Sequence, residues 1–187
     1  MIKTNLLTGK LVRLVAINAE TSAVLWAKWR NNSEYLRMAD MDPATLISVR
    51  ATKEWIEKHQ DDWLRYEFEI RTIAENQVIG SIGLDGSSNI HGDSFVGIGI
   101  GEAEYWGKGY GTEAMQLILE YAFMELNLHR VSLDVFGYNP RAIHSYEKVG
   151  FRREGQLKDV LLREGNRWDL IYMGILREEY LSHSPPP

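Results

Sequence analysis

The chain has 187 residues, 44% hydrophobic and 25% charged, with no cysteine and a formal charge of −5 from 21 Lys plus Arg against 26 Asp plus Glu. That length suits one domain able to bury about 70% of its unfolded surface, and the acidic balance argues against bulk attraction to nucleic acid. No apolar run reaches the roughly 20 residues of a membrane span, the opening MIKTNLLTGK lacks a secretory pattern, and without cysteine no disulfide forms, so a cytoplasmic protein with no membrane partner is expected.

Lys10 to Ile17 (KLVRLVAI) reads as a β-strand, and Glu20 to Asn32 as a helix with Val24, Leu25 and Trp29 near helical spacing. After the Asp42-Pro43 breaker a second helix is predicted around Val49 to Trp63. Tyr66, Phe68 and Ile70 alternate with Glu67, Glu69 and Arg71, the pattern of a half-exposed strand. The polar stretch Ala74 to Gln77 turns it into VIGSIGL, a hairpin, and a loop over Asp85 to Asp93 leads to a glycine-rich strand. Gly111 to Leu126 is an amphipathic helix with the stripe Ala114, Leu117, Ile118, Tyr121 and Ala122. Arg130 to Phe136 is a strand that a right-handed crossover sets parallel to the glycine-rich one in a mixed sheet. A short helix follows Asn139, the stretch RREGQLKD reads as a solvated strand face, and a terminal hairpin turns at Gly165-Asn166. Residues 1–181 form one domain, and 182–187 are expected to be a disordered tail.

Between positions 97 and 111 stand six glycines, Gly97, Gly99, Gly101, Gly107, Gly109 and Gly111. In ordered structure each costs roughly 0.5–1 kcal/mol relative to alanine, so something must approach the backbone closely. The first three share one strand face while Val96, Ile98 and Ile100 fill the other, which leaves a bare groove for a narrow ligand carrying amide groups. The plain alternative is a bulge or a close helix contact. The second three precede a helix start, where unpaired N–H groups and the dipole favour phosphate. The spacing G-x-G-x-G fits neither the dinucleotide fingerprint nor a P-loop.

YWGKGYGTEA followed by LDVFGYNPRAIHSYEKVGF resembles the GNAT superfamily of N-acetyltransferases, and the similarity extends over nearly the whole chain. Within it the sequence looks most like the branch containing ribosomal-protein N-terminal acetyltransferases and many small-molecule relatives. The resemblance implies an α/β (α+β) fold with a mixed, mostly antiparallel sheet of about seven strands flanked by about four helices. It implies that Gly99, Ile100 and Gly101 hydrogen-bond the pantetheine arm of acetyl-CoA, and that Gly107, Lys108, Gly109, Tyr110, Gly111 and Thr112 cradle its pyrophosphate. Trp106 stands where the family signature prefers Gln or Arg, and Lys108 either supplies a charge nearby or is a solvated surface lysine. Tyr146 matches the tyrosine that protonates the departing thiolate, and Asn139, seven residues earlier, the asparagine that holds the cofactor. Their plain alternatives are a core aromatic and an N-cap.

Asp134 matches a position where some relatives carry a catalytic glutamate, with Glu102 and His91 as further candidates for the base. The implied reaction is direct transfer from acetyl-CoA to a primary amine, a protein N-terminus or a small molecule, in a ternary complex without metal. A lysine-like or polyamine nitrogen of pKa about 10.4 is only about 0.1% neutral near pH 7.4, a penalty of roughly 4 kcal/mol, whereas an α-amino group needs no strong base. A silent acyl-CoA sensor, a nucleotide-binding regulatory module and a polyamine, amino-sugar or aminoglycoside acetyltransferase are the competing readings. Trp26, Trp29, Trp55 and Trp63 read chiefly as core packing, the loops Met38 to Leu46 and Asp85 to Asp93 as deciding the acceptor, and the terminal hairpin as a possible homodimer edge.

Overall fold

A computed structural model describes residues 5–60, 62, 64–88 and 90–183; Trp63 and 184–187 lie outside the described residues. Strand β1 (Val12–Ala16) alternates buried and half-buried positions. Helix α1 (Ala19–Arg30) starts where the Asn18 side chain accepts from the amides of Glu20 and Thr21. Asn32 does the same for Glu34 at the start of α2 (Ser33–Ala39). Helix α3 (Val49–Gln60) leads to β2 (Tyr66–Thr72), β3 (Val78–Ser88) and β4 (Asp93–Ile100). Then come α4 (Tyr110–Glu120), continued by a π-helical turn over Tyr121–Glu125, and β5 (Arg130–Phe136). Helix α5 (Pro140–Lys148), β6 (Arg152–Arg163), β7 (Asn166–Leu176) and α6 (Arg177–His183) complete the order.

The seven strands form one sheet in the order β1-β2-β3-β4-β5-β7-β6. All pairings are antiparallel except β4 with β5, which α4 connects in parallel. The described helices are six, two more than expected. Helix α2 escaped the periodicity because seven residues make barely two turns. Helix α6 carries the chain through Ser182 and His183, where a disordered tail was expected. Strand β3 is longer than read, running on to Ser88, while β6 begins at Arg152, where the solvated strand face was expected. The β6–β7 turn is Glu164-Gly165, with φ of 52° and 74°, closed by the pair Arg163↔Asn166. Two successive positive φ angles match the right-handed twist of the flanking strands.

The main core lies between the sheet and α4, where Ala114, Ile118, Ala122 and Phe123 are fully buried against Ile70, Ile82, Leu84 and Val131. A second cluster, Ala23, Trp26, Trp29, Ile56 and Val78, fills the space beneath α1 and α3. A buried ion pair ties that layer to the sheet: the Glu69 carboxylate accepts from Arg71 Nε at 2.8 Å and from the Ser22 hydroxyl.

One irregularity positions everything that follows. β4 and β5 pair only at Asp93↔Arg130, Ser94↔Val131 and Phe95↔Ser132. From Val96 to Ile100, β4 keeps its partner β3 but has left β5. The backbone there faces a cleft rather than a neighbouring strand.

Candidate active site

A groove of about 260 Å³ runs between the end of β4, the start of α4 and α5. Gly107 (φ 70°) and Gly109 (φ 90°) bend the chain into α4, and Gly109 stands at the N-cap, where no side chain bonds the first turn. A residue with a Cβ is strained at both positions. The Glu113 amide already reaches the Gly109 carbonyl at 2.9 Å, so the amides of Tyr110, Gly111 and Thr112 are the ones without an intrahelical acceptor. Gly111 lies close under Ile98 and Ile100, while the Thr112 hydroxyl bonds Ser145 at 2.8 Å and so fixes α4 against α5. The Trp106 indole N–H donates to the Ile100 carbonyl at 2.7 Å, and the Arg141 guanidinium stacks 4.3 Å above the same ring. Arg141 also lines the groove. Neither role of Trp106 is visible from its place in the motif.

Asn139 lines the groove and caps α5 as well, its side-chain oxygen accepting from the Ala142 amide at 3.2 Å. Tyr146, two turns later on the same helix, lines the groove too, and burial pushes its hydroxyl up to about 12. Of the other expected groove residues, Lys108 is exposed outside it, and Tyr110 packs edge-on against Tyr105 with centroids 5.0 Å apart.

Behind β4 lies a larger cavity of about 600 Å³, walled by Trp26, Trp29, Tyr35, Trp55 and Phe95. It carries four carboxylates, Asp40, Glu67, Asp85 and Asp134, against two guanidinium groups, Arg30 and Arg65. Arg65 pairs with Asp85 at 3.2 Å and Glu67 at 3.7 Å, and Arg30 with Asp40 at 3.8 Å. Asp134 has no such cation partner among the described residues. Burial raises the carboxyl of Asp134, and it also raises that of Glu67 despite the nearby Arg65.

The bare glycine face is only partly so. Gly97 is open to the cavity, but a Cβ on Gly99 would collide with the Tyr35 hydroxyl and one on Gly101 with the Trp29 ring. The Gly101 amide is also taken, donating to the Ile79 carbonyl at 2.8 Å. These two glycines therefore admit aromatic side chains from α1 and α2. What remains without a strand partner is the edge beside them, where β5 has turned away and the Trp106 indole takes the Ile100 carbonyl. Trp26 and Trp29 are buried as read, yet both also line the cavity. Glu102 is drawn off as a base: Lys28 Nζ donates to it at 2.6 and 2.8 Å and the Trp29 indole at 2.9 Å. Although desolvation opposes it, this bonding holds the Glu102 carboxyl below the usual glutamate range. His91 is exposed and lines neither space.

Groove and cavity meet. Tyr35, Ala39, Ile98 and Gly99 line both. Tyr146 opens on one side of that junction and Asp134 on the other, near enough for the aspartate charge to help raise the tyrosine. A ligand in the groove and another in the cavity would touch at Gly99.

The fold and this pair of joined spaces define an acyltransferase, and the sequence comparisons agree: residues 12–152 match the family described as Acetyltransferase (GNAT) domain. The chain belongs to that family and is an acetyl-CoA-dependent N-acetyltransferase. It is similar to the spermidine N(1)-acetyltransferase of Vibrio cholerae, 34% identical over 132 residues, 71% of this chain and 75% of that one. The crystal structure of spermidine N-acetyltransferase from Vibrio cholerae in complex with CoA and spermine superposes with a TM-score of 0.83 at 28% identity, covering 92% of this chain and 99% of the other. A dodecameric structure of the spermidine enzyme from that organism superposes at 0.79 with 29% identity, over 95% and 100% of the two chains. These relatives carry polyamine names, where the sequence was expected to fall in the ribosomal-protein branch.

Proposed function

We propose that the acceptor is an aliphatic polyamine and that the acetyl group passes to one of its primary amines directly, in a ternary complex. The observation that carries this is the cavity, aromatic-walled and carrying twice as many carboxylates as guanidinium groups, opening onto the groove at Gly99. Aromatic faces and carboxylates suit an alkylammonium chain. The excess of carboxylates favours an acceptor with several positive charges over a peptide N-terminus or an amino sugar, which brings one.

In this reading the free amides at the start of α4, with Gly107 and Gly109 allowing close approach, hold the donor's pyrophosphate, and Arg141 adds charge. The edge of β4 that β5 leaves, near Gly99 and Ile100, meets the pantetheine arm, and Asn139 flanks it. Asp134 takes the proton from the acceptor ammonium. The nitrogen then attacks the thioester carbonyl, the C–N bond forms as the C–S bond breaks, and Tyr146 protonates the departing thiolate. Trp168, Leu157 and Leu162 are exposed on the β6–β7 hairpin, and we extend the assembly of the dodecameric relative to a self-association of this chain through that surface.

The test is a rate comparison with acetyl-CoA and a panel of spermidine, spermine, peptides with free N-termini, and amino sugars. Spermidine or spermine is expected to exceed the others in kcat/KM by at least about tenfold, with KM rising as salt screens the cavity charge. A peptide or amino sugar used as well as spermidine overturns the polyamine assignment.

A further inference from the structure

We propose that Tyr35 sets the length of the acyl group this enzyme transfers, holding the donor to a two-carbon chain. The inference rests on the assignment of groove to donor and cavity to acceptor. If each space holds its substrate, the acyl carbon must lie where they join, and Tyr35 is the one bulky aromatic among the four residues common to both. Its hydroxyl already rests on Gly99, so tightly that the glycine could not carry a single methyl group. The hydroxyl has no hydrogen-bond partner among the described residues, so its position is set by packing rather than by a bond.

The wall is braced from three directions. The Trp29 ring lies against Tyr35, centroids 6.4 Å apart at 49°, and Trp29 is itself held by Glu102 at 2.9 Å. The Tyr138 hydroxyl donates to the Arg37 carbonyl at 2.6 Å on the same helix. Just beyond that helix, Arg163 donates to the carbonyls of Asp40, Met41 and Asp42 at 3.1, 2.8 and 3.1 Å. A wall fixed in this way cannot yield to two extra methylenes, and close-packed sites discriminate on such a scale: one methylene changes kcat/KM by roughly 10–200-fold.

The experiment compares acetyl-CoA with butyryl-CoA, spermidine as acceptor, in wild type, Tyr35→Phe, Tyr35→Leu and Tyr35→Ala. Folding is followed by circular dichroism and CoA binding by calorimetry. Wild type is expected to prefer acetyl-CoA by about 50-fold or more in kcat/KM, and Tyr35→Phe, which keeps the ring, to stay within about threefold of that ratio. Tyr35→Leu and Tyr35→Ala are expected to narrow it by about tenfold or more through faster butyryl transfer. An unchanged ratio in folded, CoA-binding Tyr35→Leu and Tyr35→Ala, or a wild type that uses butyryl-CoA as readily, overturns the proposal. Absence of any acetyl transfer to spermidine by wild type would instead sink the polyamine reading, a separate outcome.

Discussion

Asp134 and Tyr146 make opposite demands on protonation, and their surroundings separate them. Burial raises Asp134 from an ordinary aspartate, so its affinity for a proton moves toward that of the amine it is proposed to relieve. Burial and the aspartate charge push Tyr146 up to about 12, so it keeps its proton as far as pH 10. Asp134→Asn is therefore expected to lower kcat/KM about 100-fold near pH 7. The deficit should shrink toward pH 10, where the acceptor supplies its own neutral nitrogen and Tyr146 still holds its proton; a pH-independent deficit would leave Asp134 a structural role. Glu102 behaves differently. Its carboxyl titrates lower in the folded state than in the unfolded chain, so its stabilising contribution is complete above the ordinary value near 4.3 and is lost as pH falls through the folded value. Because Lys28 is largely exposed, Glu102→Gln should cost only about 1 kcal/mol at pH 7, or about 2–4 °C in Tm. The gap between the melting curves should close on acidification. Asn139 and Tyr146 were singled out by the family resemblance, and α5 sets both along the groove. Tyr35 was not, since nothing local distinguishes it before α2 is folded over β4.

The glycine loop illustrates how far an element can be read and where reading stops. Positive φ at Gly107 and Gly109 and the capless start of α4 follow from the motif. The partnership of Trp106 with Arg141 does not, because it joins the loop before α4 to the first turn of α5. Arg141 stands in the groove on an aromatic support, so Arg141→Ala is expected to raise KM for acetyl-CoA about 5–20-fold with little change in kcat, and the deficit should fade in high salt. Equal loss in kcat would place Arg141 at the reacting atoms instead. The strand glycines taught the converse lesson. Their alternation did announce a close approach to the backbone, but whether ligand or side chain approaches is decided by α1 and α2, which are remote in sequence. Helix α2 was missed for a simpler reason, being too short for a period, while the exposed early part of β6 is the solvated strand face that was read there.

At the scale of the molecule, the mixed sheet and its parallel crossover were legible because hydrophobic period and connection length allow few alternatives, whereas the order of strands across the sheet was not read. The two joined spaces were not, since they arise from the divergence of β4 and β5 rather than from any residue pattern. That divergence has a mechanical consequence. β1 to β4 and β5 to β7 are sewn together by three rungs at one end of a seam, and beyond them main-chain groups of β4 stay wet until something with amides of its own lies alongside. Hydrogen–deuterium exchange of the Val96–Ile100 segment should slow markedly when CoA is added, while the Ile70 segment of β2 hardly changes. On the proposed assignment the consumable doubles as a missing stave, and each turnover would briefly return the sheet to a partly unzipped state.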